Sequence, residues 1–490
     1  MRFLSSVLAL GFLSACYAPP EPGVNISKVA EKSVKKPCRV AGIDIALECG
    51  VIEVFENRTS NAGRKIEIHF AVLRAKSDRK KPDPMFILAG GPGQSAIDAA
   101  PLVFGALDRI NRERDMVFVD QRGTGKSNAL TCDLGEEQDN YNFGDKARLI
   151  ADVTACLTKA RAHADPTLYT TTIAMQDLDD VRKFLGYDKI NLWGASYGTR
   201  AALEYLRRYP NNVRSAVLDG VAPFNLMLPA SFITDGNAAL ASLIAECANS
   251  VACAKNSPDL AADIRTLLAE LERRPREVEI AHPRTAEKIK VTMTPTVVLG
   301  GIRGALYVAN VAGLVPHAIK AALKNEFAPL TTLVFFINLA VQDQMAIGMH
   351  LSVVCAEDFP LVEKHPLSHS AQDFYGAEFI EDTQRMCAIW PRGEVPPDYY
   401  EAVKSDVPVL LLSGGIDPAT PPRHAESVLK GLARGKHLIA PHVGHGVSAQ
   451  GCAPDLIKRF VEDGNADKVD GACLGKIPRP TFYRAPTAKS

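Results

Sequence analysis

The sequence predicts an α/β fold in which a mostly parallel β-sheet carries helices on both faces and accommodates one mainly helical insertion. Three observations predict it. Short apolar runs alternate with helix-like segments over residues 38–221, the alternation is interrupted over 222–400, and it resumes over 401–490. Strands that alternate with helices usually pair in parallel, because each helix crosses from one strand to the next. We therefore expect a sheet domain in two parts, with residues 222–400 forming a helical cap over it.

Apolar patterns indicate the elements of the first part. Residues 65–74 alternate apolar and polar side chains and predict a half-buried strand. The short runs 84–89 and 115–120 are apolar at consecutive positions, which is typical of strands buried on both faces. Residues 173–185 have helical spacing, and Gly186 after them is a usual helix stop.

The alternation continues to the insertion and resumes after it. Further strands are predicted at 189–193, 213–219, 407–413 and 436–440. Further helices are predicted at 199–208, about 424–432 and about 454–462. A parallel arrangement places the carboxyl ends of these strands at one edge of the sheet, where open α/β sheets hold their functional sites.

The composition is that of a globular protein and excludes several other classes. Of the 490 residues, 47% are hydrophobic and 23% are charged, unlike a disordered, collagen-like or coiled-coil chain. The 56 Lys and Arg residues equal the 56 Asp and Glu residues, so the formal net charge is zero. A protein that binds nucleic acid through bulk positive charge is therefore not expected.

The first residues have the pattern of an export signal. A basic start and an apolar run precede Leu-Ser-Ala-Cys at residues 13–16, an order typical of a secretory signal. Leu-Ser-Ala-Cys resembles the bacterial lipobox. We expect a signal peptide over 1–16, acylation of Cys16, a tether over 17–37, and a membrane-anchored lipoprotein of the bacterial cell envelope. The alternative is an ordinary signal cut near Ala18.

The cysteines fit an oxidising compartment. Setting Cys16 aside from the 11 cysteines leaves ten, an even number. They occur in couples that are close in sequence: Cys38 and Cys49, Cys132 and Cys156, Cys247 and Cys253, Cys355 and Cys387, and Cys452 and Cys473. Exported thiols are mostly paired, so we expect most of the ten to form disulfides. Proximity suggests these couples, but the sequence alone does not determine the connectivity. A zinc site is the alternative, but the sequence contains no Cys-x-x-Cys couple.

The strongest functional signal is Gly-Ala-Ser-Tyr-Gly at residues 194–198, between a predicted strand and a predicted helix. In that context Gly-x-Ser-x-Gly is a nucleophile elbow, whose sharp turn requires small residues two before and two after the serine. Ser196 is thereby presented at a helix N-terminus, where developing negative charge is favoured. We predict that Ser196 is a catalytic nucleophile.

A serine nucleophile needs a base and an acid that orients the base, and in this architecture they follow in the order Ser, acid, His. Asp417 comes soon after the predicted strand 407–413, and His445 soon after the strand 436–440. His442 is the local competitor for the base. The glycines on both sides of His445 favour it, because they give the loop freedom to direct the ring.

The oxyanion of a tetrahedral intermediate needs hydrogen-bond donors. One is expected to be the backbone N–H of Tyr197, the residue after the nucleophile. The other is expected from Gly91 in the glycine-rich segment 89–95, which follows a predicted strand and can approach a substrate closely. A plain Gly-Pro turn is the alternative interpretation of that segment.

Residues 123–127, Gly-Thr-Gly-Lys-Ser, match the end of a phosphate-binding loop. The complete pattern requires glycine at position 120. This chain has Asp120 there, and its carboxylate would repel phosphate. We expect no nucleotide binding, and the motifs imply no metal or organic cofactor.

Four motifs together resemble a known family. They are Gly-Gly-Pro-Gly at 90–93, Asp-Gln-Arg-Gly-Thr-Gly at 120–125, Gly-Ala-Ser-Tyr-Gly at 194–198 and Gly-His-Gly at 444–446. Over about residues 38–473 the chain resembles the prolyl iminopeptidase and tripeptidyl aminopeptidase group of α/β-hydrolases, with a tripeptidyl aminopeptidase-like C-terminal region. The resemblance implies the α/β-hydrolase fold and a serine exopeptidase acting at peptide N-termini.

One departure narrows the resemblance. Ala89 stands where the iminopeptidases usually have His before Gly-Gly-Pro-Gly. This difference points to the tripeptidyl branch and away from strict proline specificity.

An aminopeptidase also needs a carboxylate to hold the ammonium group of its substrate. The resemblance suggests Glu357 and Asp358, in or near the expected cap, with Glu357 ahead of Asp358. A charge-assisted contact with a free N-terminus would fix the register of the substrate. The alternative is a solvated acidic turn, and both interpretations stay open.

Taken together, the sequence predicts an exported serine aminopeptidase of the tripeptidyl or prolyl type, with a peptide substrate and a membrane surface as its partners. An esterase or amidase that uses the same three residues is the first alternative, since this fold supports both chemistries. A non-catalytic envelope lipoprotein is the second, against which the intact set of Ser196, Asp417 and His445 argues.

Overall fold

The structure, a computed structural model, describes residues 35–132, 140–141, 146–281, 286–342, 345–365, 373–479 and 481–483. The predicted signal peptide, Cys16 and residues 17–34 of the predicted tether lie outside these ranges. Within the ranges, no helix is long and apolar enough to cross a membrane.

Two sheets contain the strands of the described residues. The strands are β1 (Lys36–Cys38), β2 (Leu47–Phe55), β3 (Lys65–Leu73), β4 (Met85–Leu88), β5 (Met116–Val119), β6 (Asn140–Tyr141), β7 (Ile190–Ala195), β8 (Val213–Asp219), β9 (Arg276–Ala281), β10 (Lys288–Met293), β11 (Val409–Gly414) and β12 (Gly435–Ala440). The large sheet has the order β1-β2-β3-β5-β4-β7-β8-β11-β12, and the small one has the order β6-β10-β9.

Helices cover the large sheet and build the insertion. They are α1 (Ala100–Asn111), α2 (Lys146–Arg161), α3 (Thr171–Leu185), α4 (Tyr197–Arg208), α5 (Ser231–Asn249), α6 (Val251–Asn256), α7 (Leu260–Arg273), α8 (Pro295–Leu306), α9 (Ala309–Ala312), α10 (Val315–Ala322), α11 (Ala328–Gln342), α12 (Ile347–Val353), α13 (Phe359–Lys364), α14 (Glu378–Ile389), α15 (Pro422–Leu429) and α16 (Ala453–Asp463). A π-helical turn, Val354–Asp358, joins α12 to α13.

The predicted fold class is confirmed. The strands from β5 to β12 in the large sheet pair in parallel, and β1, β2 and β3 add an antiparallel edge. One face packs against α1 and α16 through one apolar core, and the other packs against α3, α4 and α15 through a second. The carboxyl ends of the parallel strands therefore meet at one edge, between the two layers of helices.

Local patterns account for the strands. Every residue of β4 and of β5 is buried, as expected for consecutive apolar residues in the centre of a sheet. In β3 the predicted alternation holds only for the first residues, and Phe70 to Leu73 are all buried. That end of β3 pairs with β5, so it lies under helices on both faces.

Most elements between β8 and β11 are helices, α5 to α14, as the sequence predicts. The difference from the prediction is a hairpin, β9 and β10, which pairs in antiparallel fashion and joins β6 from an earlier part of the chain. The insertion has its own apolar core, formed mainly by α5, α7, α8, α10 and α11. It also contacts the loop after β4, since the N–H of Ala346 donates to the carbonyl oxygen of Gly93 at 2.9 Å.

The structure joins all five predicted cysteine couples as disulfides. The couple Cys355–Cys387 ties the π-helical turn to α14, and Cys452–Cys473 ties the start of α16 to the segment after it. Each bond closes a short stretch of chain, between 6 and 32 residues.

Candidate active site

Ser196 lies in the turn between β7 and α4, with a backbone φ of 55° and ψ of −124°. A positive φ is strained for a residue that has a side chain, and such strain is concentrated at functional sites. Glycine is needed on both sides of the turn. A Cβ at Gly194 would lie 2.3 Å from the carbonyl oxygen of Gly198, and one at Gly198 would lie 2.1 Å from that of Leu88. The backbone thus has the geometry of a nucleophile elbow.

His445 and Asp417 form a hydrogen-bonded pair. Nδ1 of His445 lies 2.8 Å from Oδ2 of Asp417. The other carboxylate oxygen accepts the N–H groups of Ala419 and Thr420 at 2.8 and 2.9 Å, which holds the acid in place. A carboxylate in this position orients the ring so that Nε2 can act as a base. The structure therefore brings His445, and not the competing His442, to the acid.

Charge and burial oppose each other in this pair. Burial disfavours a charged imidazole, but the carboxylate of Asp417 outweighs burial, so the pKa of His445 is raised above its usual value. Burial would also raise the pKa of Asp417, but the charge and hydrogen bond of His445 and two backbone N–H groups hold that pKa below its usual range. An ionised Asp417 beside a basic His445 is the arrangement that stabilises an imidazolium during catalysis.

Asp219, the last residue of β8, connects the nucleophile to the loop of the base. Its backbone oxygen accepts the N–H of Ser196 at 2.9 Å. Its carboxylate, which is 2% exposed at the residue level, accepts the N–H groups of Val447 and Ser448 at 2.7–2.9 Å. A Cβ at the next residue, Gly220, would lie 3.2 Å from Cε1 of His445. Ser196 and the imidazole are therefore both held against the same turn.

Asp219 and Thr420 are among the residues that contact the predicted site and were not predicted from the sequence. The hydroxyl of Thr420 donates to Oδ2 of Asp417 at 2.8 Å and lies 3.1 Å from Nδ1 of His445. The available signal was position alone, because Asp219 ends a predicted strand and Thr420 belongs to the loop of Asp417. Position does not tell which loop side chains turn inward, so the signal was too weak to select them.

The insertion reaches the base through Tyr307, the residue after α8. The N–H of His445 donates to the carbonyl oxygen of Tyr307 at 2.9 Å. Their ring centroids are 5.1 Å apart and the ring planes meet at 68°, an edge-to-face contact. The end of α8 therefore forms part of the wall of the site.

The glycine-rich segment after β4 lies beside the nucleophile. A Cβ at Gly90 would be 3.4 Å from the Cβ of Ser196. Gly91 has a φ of 112°, which glycine adopts without strain. Tyr197 is the first residue of α4, so its N–H is one of the helix N–H groups that have no partner within the helix. The two predicted oxyanion donors, on Gly91 and Tyr197, thus lie in the two segments that adjoin Ser196.

The segment that resembles a phosphate-binding loop closes around an acid. The carboxylate of Asp120 accepts the hydroxyl of Ser95 at 2.7 Å and the N–H groups of Ile97 and Lys126 at 3.1 and 3.2 Å. A Cβ at Gly125 would lie 2.0 Å from this carboxylate. Asp120 therefore ties the turn to the chain just after the glycine-rich segment, which is a structural role.

Glu357 and Asp358 lie in the π-helical turn and are fully buried. Both oxygens of Asp358 accept hydrogen bonds from Arg200 of α4, at 2.8 and 2.9 Å. Glu357 accepts the N–H and the hydroxyl of Thr171 at 2.6 and 2.8 Å and a very short hydrogen bond from the hydroxyl of Tyr399. The acidic pair therefore belongs to a buried polar network, and the alternative of a solvated turn does not fit the structure.

This network, formed by residues 171, 200, 357, 358 and 399, reaches the residue next to the nucleophile. The hydroxyl of Thr171 lies 2.7 Å from that of Tyr197. Burial raises the pKa of Glu357 to about 7, although Arg200, Tyr399 and Thr171 all favour the ionised form. At neutral pH this carboxyl therefore takes up a proton much more readily than an exposed glutamate does. Its role as a ligand of the ammonium group stays a prediction.

Ser196, His445 and Asp417, the predicted nucleophile, base and acid, all lie at this edge of the sheet. A set of this kind performs acyl transfer in serine hydrolases. Among the residues that the structure describes, no group of three or more His, Cys, Asp or Glu side chains could hold a metal ion.

Several known proteins are similar to this chain in sequence. A family described as TAP-like protein matches residues 372–473, the stretch that contains Asp417 and His445. The serine protease Hip1 of Mycobacterium tuberculosis (strain CDC 1551 / Oshkosh) is 24% identical over 445 residues. That match covers 82% of this chain and 83% of the relative.

Two further relatives match shorter stretches. The tripeptidyl aminopeptidase of Streptomyces lividans is 27% identical over 192 residues, 36% of this chain and 35% of the relative. A probable proline iminopeptidase of Streptomyces coelicolor is 30% identical over 141 residues, 28% of this chain and 33% of the relative. The resemblance inferred from the four motifs, including the tripeptidyl aminopeptidase-like C-terminal region, is confirmed.

Proposed function

We propose that this serine hydrolase of the α/β-hydrolase fold is an exported aminopeptidase, which hydrolyses peptides from their free N-terminus. The observation that carries the proposal is the hydrogen-bonded pair of Asp417 and His445 at the edge of the sheet that holds the elbow of Ser196. The relatives are named serine protease, tripeptidyl aminopeptidase and proline iminopeptidase, and these names support peptides as the substrate.

The mechanism follows from the positions of these groups. Nε2 of His445 takes the proton of the Ser196 hydroxyl while the serine oxygen attacks the carbonyl carbon of the substrate. The resulting oxyanion accepts hydrogen bonds from the N–H of Tyr197 and from the segment that contains Gly91. His445 then gives its proton to the leaving amine, and Asp417 stabilises the imidazolium throughout. Water repeats the sequence on the acyl-enzyme and regenerates the serine.

Specificity for a free N-terminus requires negative charge near the acyl side of the site. We assign this charge to the acidic pair Glu357 and Asp358. With Glu357 ionised, the pair carries two negative charges against one positive charge on Arg200, so one negative charge is uncompensated within the network. Asp358 is held by Arg200, which makes Glu357 the group that contacts the ammonium. It does so by exchanging a hydrogen bond from Tyr399 or Thr171 for one from the substrate.

We further propose that residues 222–400 act as a cap and that Cys16 carries a lipid anchor. The cap is supported by the contacts of its residues with the loops of the site, such as Tyr307 with His445. Export is supported by the disulfides that join five cysteine couples.

A panel of fluorogenic peptides tests the activity. Each peptide is offered with a free amine and with an acetylated amine, beside a short ester such as p-nitrophenyl butyrate. The aminopeptidase cleaves free-amine peptides and leaves the acetylated ones nearly untouched, because the acetyl group removes the charge that Glu357 holds. Equal cleavage of both forms, or esters that far outpace every peptide, would make the esterase alternative the better description.

A further inference from the structure

Arg303 lies near the C-terminal end of α8, the part of the insertion that contacts His445. Arg303 lies on α8, one turn before Tyr307. Its Cζ stands 4.2 Å from the ring centroid of Phe232 and 5.8 Å from that of Tyr307, so the cation lies against the ring of Phe232 and near that of Tyr307. The ring of Tyr307 is in turn against the imidazole of His445. This stacking fixes a positive charge next to the catalytic histidine.

One nitrogen of this guanidinium lacks a hydrogen-bond partner, although the side chain also interacts with the hydroxyl of Tyr307. Nη1 of Arg303 is buried and has no hydrogen-bond partner among the described residues. Asp235 lies on the same face of α5 as Phe232, but its carboxylate is paired with Arg423 and with His424, the latter at 2.9 Å. A buried guanidinium N–H that lacks an acceptor is costly, so such a group is expected to have a partner when the protein works.

The position of the guanidinium relative to His445 indicates which part of a substrate would meet it. Since His445 protonates the leaving amine, the peptide downstream of the cleaved bond lies on the side of the imidazole. The network of Glu357 reaches Tyr197, the residue after Ser196 and one of the predicted oxyanion donors, through Thr171. The two ring distances place the guanidinium within about 11 Å of the imidazole, a span of about three extended residues.

We propose that Arg303 binds a carboxylate of the leaving peptide, its C-terminal carboxylate above all, and thereby selects short peptides whose two ends are both free. The inference rests on the proposed aminopeptidase function and adds the substrate class. A planar guanidinium can donate two parallel hydrogen bonds to a carboxylate, and the ring of Phe232 limits the movement of the Arg303 guanidinium. The substrate then spans the site between the negative charge of the Glu357 network and the positive charge of Arg303.

Matched peptide pairs test the proposal. A free-amine peptide whose leaving part has two residues is prepared with a C-terminal carboxylate and with a C-terminal carboxamide, and kcat/KM is measured for both. For the unchanged protein we expect the carboxylate form to be preferred about 30-fold, the size of one charge-assisted contact. A ratio near one in the unchanged protein overturns the inference without any mutation.

Three variants locate the preference. Arg303→Met removes the charge at similar length and should bring the ratio of carboxylate to carboxamide close to one. Arg303→Lys keeps a charge without the planar fork and should retain part of the ratio. Arg265→Met is the matched control, because Arg265 of α7 also stands over a ring, that of Phe374, at 4.3 Å. The control should keep the full ratio.

A purely structural role of Arg303 gives a different result. If Arg303 only holds Tyr307 against His445, Arg303→Met lowers kcat/KM for both peptides by the same factor, and the inference is wrong. Acetylated versions of the two peptides show whether a negative result concerns only Arg303 or the proposed aminopeptidase function as well. A strong effect of acetylation together with equal carboxylate and carboxamide rates keeps the aminopeptidase and rejects the role of Arg303. If acetylation has no effect, the aminopeptidase itself is rejected and the inference with it.

Discussion

The backbone oxygen of Asp219 accepts the N–H of Ser196 at 2.9 Å, and the carboxylate of the same Asp219 accepts two N–H groups of the loop that carries His445. One buried acid thus connects the strand of the nucleophile to the loop of the base. The arrangement matters because a serine hydrolase depends on the distance between these two groups, which come from loops about 250 residues apart.

The first prediction concerns Asp219→Asn. An amide offers one acceptor where the carboxylate offers two, and its NH₂ group faces the N–H groups of Val447 and Ser448. We expect kcat to fall by about 10- to 100-fold, since the loop of His445 is displaced, while KM changes little. Steady-state kinetics on a free-amine peptide measures both.

The pH profile of the same variant gives an independent check. Asp417, Asp219 and Tyr307 are titratable groups near His445, and both carboxylates raise its pKa against burial. Activity of the unchanged protein therefore falls as the pH drops through a value above the usual imidazole pKa. Loss of the Asp219 charge should move this acid limb to lower pH, because Asp219 favours the protonated imidazole.

A buried acid at the opposite end of the sheet is the control. Asp83 accepts hydrogen bonds from Arg114 and Asn191, both at 2.9 Å, before the start of β4. Asp83→Asn should lower the melting temperature without moving the pH limb. If both variants only lower the melting temperature and neither shifts the acid limb of the pH–activity profile, Asp219 has no specific effect on His445.

The second prediction is that Ser196 is the nucleophile. A fluorophosphonate probe, which reacts only with an activated serine, should label the unchanged protein and leave Ser196→Ala unlabelled. Labelled peptides analysed by mass spectrometry identify the site. Labelling of the variant to the same extent would mean that another residue carries the reaction.

The third prediction separates the two histidines of one loop. His445→Ala should lower kcat by several orders of magnitude while the protein stays folded, and Asp417→Asn should be nearly as damaging because it favours the wrong tautomer. His442→Ala should have little effect on kcat. The reverse order of the two histidine variants would show that the base is His442.

The fourth prediction concerns Glu357→Gln. The substitution removes the charge that we assign to the substrate ammonium, so the preference for free over acetylated peptides should shrink by about 10- to 100-fold. Cleavage of p-nitrophenyl butyrate should change far less. Glu204→Gln is the matched control, because Glu204 is an equally buried acid, bonded to Thr172 and Arg208 at 2.7 and 2.8 Å. If Glu204→Gln reduces the preference for free peptides to a similar extent, the effect comes from a general disturbance of α4.

Glu357 also predicts how stability depends on pH. Its pKa is raised to about 7 in the folded protein, so between its ordinary value and 7 the folded state binds more protons than the unfolded state. The free energy of unfolding should therefore decrease as the pH rises through this window, by up to about 3 kcal/mol from this group. Glu357→Gln should flatten that slope in thermal unfolding, and an unchanged slope would contradict the raised pKa.

The fifth prediction concerns export. Mature protein should begin at a diacylated Cys16 and partition into detergent, and Cys16→Ser should abolish both properties. The other ten cysteines should contain few free thiols when counted by mass spectrometry after alkylation. Mostly reduced thiols in the purified protein would contradict an oxidising compartment.

Loss of the Cys355–Cys387 bond, which closes a loop over 32 residues, should cost about 3 kcal/mol of stability.

The sequence determined those features that depend on a few neighbouring residues. Buried strands such as β4 and β5 are apolar at every position, so burial on both faces could be inferred from their own residues. The elbow around Ser196 needs glycine at 194 because of a contact within the turn, with Gly198, and glycine at 198 because Leu88 of β4 lies against it. The Gly-x-Ser-x-Gly motif includes both glycines. Asp417 and His445 could be inferred because each follows a clear strand in the expected order.

The hairpin of β9 and β10 shows the limit of such patterns. Its strands are half exposed and lie within a largely helical insertion, so the helical surroundings outweighed the local alternation in the prediction. Pairing with β6 connects segments that are far apart in sequence, and no local pattern specifies it.

Only the tertiary structure decided the partners of the acidic pair. From the sequence, Glu357 and Asp358 could be exposed or buried, because two adjacent acids fit either environment. The structure buries both and pairs Asp358 with Arg200, 158 residues earlier in the chain. It likewise brings Asp219 to the loop of His445 and Arg303 to Phe232. The geometry of a turn depends mainly on neighbouring residues, so a short sequence motif can indicate it. The partner that neutralises a buried charge comes from a distant segment of the chain, and only tertiary packing brings the two together.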